Sequence, residues 1–200
     1  MTAGVPSRPL PGNAVLLAWF VVTALAAAGV QIWLQATFRL AHHPVPLAQA
    51  NLEADPAVVR GWYEQLLAQG TYLQFVRAEL VDLLWPACLA GALVSLYRLI
   101  GGLLRVLDPP VARLLVRLAP FAAVGPAFDV VENGFSLAML TDPTGFPDWW
   151  ATAHVVASWC KLAGSVLAAV AGSTLTVVAL AGRAGRVRKA ADGGQALPPR

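Results

Sequence analysis

A few strongly polar residues stand in stretches that are otherwise largely apolar: Glu79 and Asp82, then Asp129, Glu132 and Asn133, then His154, Ser158 and Lys161. Two carboxyls held close together in a medium of low dielectric cannot both ionise easily, so one is pushed towards neutrality. Asp129 and Glu132 are therefore the candidate acid and base, with His154 as a proton shuttle. Asp82, Asn133, Ser158 and Lys161 are the candidate ligand-binding set. His154 with Asp82 and Glu132 has the donor types for a divalent ion, but established zinc spacing is missing and no metal is expected. The plainer alternative is structural: Lys161 paired with Asp129 or Glu132 would form a buried ionic lock that fixes how helices pack.

The spacing puts these groups on helix faces. Asp129, Glu132 with Asn133, and Ser136 follow i, i+3/i+4, i+7, and His154, Ser158, Lys161 and Ser165 form a similar stripe. Gln31 and Gln35 are four apart on an earlier stretch. Pro86 and Pro126 each remove a backbone donor, freeing the carbonyls of Asp82 and Ala122 and predicting kinks beside the carboxylates.

What must position them is a set of membrane helices. Of 200 residues 58% are hydrophobic and 12% charged, and the mean hydropathy is +0.63, which excludes a disordered chain or a secreted disulfide scaffold. A net charge of +3 is too small for a nucleic-acid partner. Hydrocarbon about 30 Å thick needs roughly 20 apolar residues per helix. Four windows satisfy this, at about 14–36, 75–100, 112–140 and 149–181. The expected fold is all-α, an integral membrane four-helix bundle forming a single domain over 1–182, with Trp149 and Trp150 as interfacial anchors.

Arg98, Arg105, Arg113 and Arg117 lie between the second and third windows, and Arg183, Arg186, Arg188, Lys189 and Arg200 lie in the tail. The loop from Thr141 to Asp148 carries acids and no cation. The positive-inside rule then places both termini in the cytoplasm, in a bacterial inner membrane. Counted from the outer edge at 1.5 Å per residue, His154, Asp82, Glu132, Asp129 and Lys161 fall about 6 to 16 Å deep, so an outward-facing polar pocket is expected. Val15 to Ala28 also resembles a signal-peptide core, but the apolar run continues to Leu34, which favours an uncleaved span.

Outside the spans, the external loop 37–74 holds a short amphipathic helix over 56–69, started by Asp55-Pro56 and stopped by Gly70, with Val59, Trp62, Tyr63 and Leu66 on one face. It is expected in the outer interface, as a connector or as a lid. His42 and His43 precede it and read as a solvent-exposed pair. Residues 183–200 read as a basic disordered cytoplasmic tail, and Cys88 and Cys160 as reduced thiols. Walker, G-x-G-x-x-G and C-x-x-C motifs are absent, leaving any cofactor unknown.

Two stretches carry a resemblance. Tyr72, Arg77, Asp82 and Pro86 stand in the first, and Pro126-Ala127-Phe128-Asp129-Val130-Val131-Glu132-Asn133-Gly134, followed by Ala153, Ser158 and Lys161, in the second. Together they resemble a group of small multi-pass membrane proteins, mainly bacterial, with a recurring Asp-x-x-Glu-Asn helix and no established activity. The resemblance covers the second to fourth windows and implies a four-helix fold. Three functions stay open: an enzyme acting on a lipid or isoprenoid headgroup, a proton- or ion-coupled transport component, and a ligand-binding or structural subunit. The expected partners are membrane lipids and either further copies or a larger membrane complex.

Overall fold

The computed structural model describes residues 12–193, with side chains described through residue 186. It is helical, with no strand among the described residues. The elements run α1 (Asn13–Leu40), α2 (Leu47–Ala50), α3 (Pro56–Gln69), α4 (Tyr72–Asp82), α5 (Leu84–Leu104) and α6 (Pro109–Leu118). A 3-10 turn (Ala119–Ala123) follows, then α7 (Val124–Met139) and α8 (Asp148–Gly193).

Four helical units are long and apolar enough to cross a membrane: Asn13–Leu40, Tyr72–Leu104, Pro109–Met139 and Asp148–Arg186. Each begins before the window expected from hydropathy, and all but the third also end after it. The outward faces carry the apolar side chains, with Leu25 68%, Ile32 70% and Leu167 69% exposed, a distribution that suits lipid rather than water. Helix α8 runs without a break through Gly193. The first part of the expected disordered tail is thus helical, because nothing between Gly182 and Gly193 removes a backbone donor; residues 194–200 lie outside the described ones.

Prolines set the breaks. Pro86 is the third residue of α5, and the helical path is interrupted at Leu83, where the Asp82 carbonyl has lost its donor. Pro120 sits in the 3-10 turn, which ends at Ala123, and Pro126 is the third residue of α7, about one turn ahead of Asp129. The turn at Pro120 is an addition to the two kinks expected. Asp55 starts α3 by accepting from the Ala57 N–H at 2.8 Å, Pro56 follows at the first position, and Gly70 ends the helix at φ 71°.

Helix α1 packs along α5, and α7 along α8, with α4 bridging α1 and α7. Helices α7 and α8 meet backbone to backbone: a methyl group on Gly164 would lie 2.9 Å from the Gly125 nitrogen. Further along, the Tyr97 hydroxyl donates to the Ala168 carbonyl, and its ring lies over Gly172. The small-residue stripe Gly164, Ala168, Gly172 is thereby filled by a glycine and a tyrosine.

The apolar core is split. One cluster at the loop end joins Leu34, Phe38, Val59, Tyr63, Leu66, Phe75, Met139 and Phe146. The other joins Tyr97, Leu104, Leu115, Ala119 and Ala168. The apolar face of α3 is buried in the first cluster. Arg60 fastens the loop end, donating to the Phe146 carbonyl at 2.7 Å, stacking over its ring and pairing with Asp148. Tyr72 adds a hydroxyl donated to the Leu140 carbonyl.

Candidate functional site

Between the two apolar clusters lies a polar layer. On α4, Glu79 and Asp82 are one turn apart and both buried; on α7, Asp129, Glu132, Asn133 and Ser136 share one buried face; on α8, His154 and Ser158 do the same. The helical spacing that put each set on a stripe also turns the three stripes inward. Every residue expected in the site is present in this layer.

Lys161 is its hinge. Its ammonium donates to Asp129 Oδ1 at 3.0 Å and lies 2.5 Å from Glu132 Oε2, so one cation serves two carboxylates across the α7–α8 interface. The side chain of Lys161 is 26% exposed while that of Glu132 is 1% exposed. Neither oxygen of Glu132 has a hydrogen bond of normal geometry, and Asn133 Nδ2 has none either. His154 Nε2 stands 3.9 Å from Glu132 Oε1. Ser158 Oγ is placed to donate to the Asn51 carbonyl at 2.8 Å or to the His154 carbonyl at 3.1 Å.

Two cavities flank this layer. The larger, about 250 Å³, is bordered by Asp82, Asp129 and Lys161 with Gln31, Asn51 and Ser165, and has Leu34, Trp85, Leu89 and Leu162 as apolar walls. Asp82 is 7% exposed and borders this cavity, yet no described residue gives it a hydrogen bond or an ion pair. The smaller, about 20 Å³, has room for about one water molecule and is bordered by His43, Tyr63, Glu79, Ser136 and His154. The chemistry differs across the layer: Asp82, Asp129 and Lys161 face the larger cavity, whereas Glu132 and Asn133 lie inside the packing.

Charge in the layer is lopsided. Four carboxyls, Glu79, Asp82, Asp129 and Glu132, meet one lysine and one histidine. No group of three or more His, Cys, Asp or Glu among the described residues is arranged to hold a metal ion. His154, Asp82 and Glu132 share the layer without converging on one point.

The loop end contributes residues that sequence reasoning missed. Asn51 follows α2 and reaches Ser158 through its backbone carbonyl, a contact with no side-chain signature. Tyr63, expected on the apolar face of α3, points its ring into the loop-end cluster and borders the smaller cavity. Burial, then the nearby Glu79, push its phenol well above the ordinary range, keeping it a proton donor. His43 corrects the expectation of a solvent-exposed pair. It is half-buried, stacked on Phe75 at 5.0 Å and edge-on to Trp62 at 5.3 Å, with Nδ1 2.9 Å from the Val45 carbonyl. His42 is exposed, at φ 52°. Cys88 and Cys160 are free thiols.

Compared with protein-family models, curated proteins and solved structures, the chain matches none of them; the Asp-x-x-Glu-Asn resemblance rests on its own residues, and the four apolar helices support a multi-pass membrane protein.

Proposed function

We propose that the protein is a multi-pass membrane protein that binds the polar end of a membrane amphiphile in the cavity beside Asp82, Asp129 and Lys161. The observation that carries this reading is Asp82: a buried carboxyl at a cavity, with no partner among the described residues. Asp82 borders the cavity, so a donor arriving there can supply the hydrogen bond that no described residue gives it. The excess of carboxyls over cations selects a headgroup that donates, a hydroxyl or an amine, and disfavours a phosphate.

The way in is lateral. Helix α1 keeps to α5 and α8 keeps to α7, while α1 and α8 do not pack along each other. The cavity takes Gln31 and Leu34 from α1 and Lys161, Leu162 and Ser165 from α8. A headgroup between them leaves its chain in the bilayer. By the positive-inside rule both termini lie in the cytoplasm and the cavity opens towards the outer leaflet of a bacterial inner membrane, where α3 covers the loop end. The ionic lock of Lys161 holds α7 and α8 in register for this site rather than competing with it.

Native mass spectrometry of the detergent-purified protein tests the reading, wild type beside Asp82→Asn. Asparagine keeps the shape and removes the charge. The expected result is a co-purifying neutral or cationic amphiphile on the wild type whose occupancy falls about tenfold in the variant, the effect of one charge-assisted hydrogen bond. Melting temperatures of the two proteins establish that both are folded. Identical occupancy in two folded proteins, or a bare mass for both, overturns the proposal.

A further inference from the structure

At the opposite end of the bundle, where α5 turns into α6, lies a second site of the reverse charge. Arg105 follows the end of α5, and Arg113 and Arg117 are four apart on one face of α6. All three border a single cavity of about 370 Å³ whose other walls are Gly101, Pro109, Ala112 and Val116. No carboxylate among the described residues borders it. The nearest acid in sequence, Asp108, is engaged elsewhere: one oxygen accepts from the Val111 N–H at 3.3 Å and the other faces Arg186 at 4.0 Å. None of the three arginines makes a hydrogen bond or ion pair with a described residue.

We propose that this cavity is a binding site for the phosphate of an anionic phospholipid headgroup. Three guanidinium groups around one concavity offer the planar forks that grip phosphate oxygens in pairs, which an ammonium group cannot do. The cavity floor is built for close approach: a methyl group on Gly101 would lie 2.8 Å from Val116, so the helices meet there and the arginines rise around the contact. Apolar surface flanks the charges. Val106 is 90% exposed, Leu103 59% and Leu114 42%, giving acyl chains a surface beside the headgroup. A free phosphate ion would use the arginines and leave that surface bare; a lipid uses both, and a lipid is the source proposed. The site is independent of the acidic cavity at the other end.

Arginines next to spans also orient a chain in the membrane, so the test must keep their charge. In Arg105→Lys/Arg113→Lys/Arg117→Lys all three positive charges remain, preserving the orienting signal, while the forks are lost. Wild type and variant are compared by native mass spectrometry after exchange into micelles with defined amounts of phosphatidylglycerol or phosphatidylcholine, with and without inorganic phosphate. The expected result is that the wild type retains phosphatidylglycerol at least about tenfold over phosphatidylcholine, the scale of a few cations beside an anionic headgroup. The lysine variant should lose about tenfold of that retention, one charge-assisted hydrogen bond. Equal retention of the two lipids by the wild type overturns the proposal. So does a lysine variant that binds like the wild type, because diffuse positive potential then suffices. Displacement of the lipid by millimolar inorganic phosphate overturns the lipid assignment and leaves a phosphate-ion site.

Discussion

Single residues decide where charge is tolerated in this protein. His43 stands just beyond α1 with Phe38, Phe75 and Trp62 around its ring, and burial holds its pKa below the ordinary 6.5, against a smaller opposing effect of the Val45 carbonyl. A histidine whose folded pKa is depressed binds fewer protons folded than unfolded. Its stabilising contribution is therefore complete above about pH 6.5 and is lost as pH falls towards the folded value. Glu79 and His154 border the same small cavity, so the difference between wild type and His43→Phe is what isolates the imidazole. Lowering the pH from 7.5 to 5.5 should depress the melting temperature of the wild type more than that of His43→Phe; parallel losses would remove His43 from the account. The ionisable residues of the polar layer were legible in the sequence because lipid rejects a charged side chain at a cost of about 2.5–3.5 kcal/mol. The burial of His43 was not legible, since its partners come from α1, α3 and α4, far apart in the chain.

Between whole elements, fit is set by the smallest side chains. The Lys161 ammonium reaches both Asp129 and Glu132 only because α7 and α8 meet at Gly125 and Gly164, one turn away. Gly164→Ala would place its methyl 2.9 Å from a backbone nitrogen, which cannot rotate away as a side chain can. Overpacking of this kind costs about 1–3 kcal/mol, and melting in detergent should register that loss. Gly61→Ala, in the exposed middle of α3 with nothing within 4 Å of the added methyl, should be neutral or stabilising by roughly 0.5–1 kcal/mol. A Gly164→Ala protein as stable as Gly61→Ala would mean that α7 and α8 separate freely at this point. Helix identity was readable from hydropathy, and the break at Pro86 from the missing N–H. The partner of each helix was not: the small-residue stripe on α8 is visible in the sequence, whereas Tyr97, which covers half of it, reads there as one aromatic among many.

For the molecule as a whole, the two ends carry opposite chemistry, and the direction in which they face determines which leaflet each meets. Buried carboxyls concentrate towards the end closed by α3, Arg60 and Tyr72, and arginines without a partner among the described residues ring the cavity at the other end. Along the bundle beyond the polar layer, a further cavity of about 480 Å³ is walled by Leu93, Leu96, Ile100, Ala168 and Val177, with Ser173, Thr176 and the Tyr97 hydroxyl as its polar neighbours among the described residues. Orientation can be read directly with single cysteines in a background where Cys88 and Cys160 are replaced by alanine. Thr144→Cys, exposed in the loop before α8, should react with a membrane-impermeant maleimide in intact spheroplasts, while Val106→Cys, 90% exposed at the α5–α6 turn, should react only after the membrane is opened. The reverse pattern would place the acidic cavity in the cytoplasmic leaflet. The arginine cavity would then face outwards, where a net-anionic headgroup meets it only if that leaflet supplies one, so a single labelling experiment fixes which lipids each site can encounter.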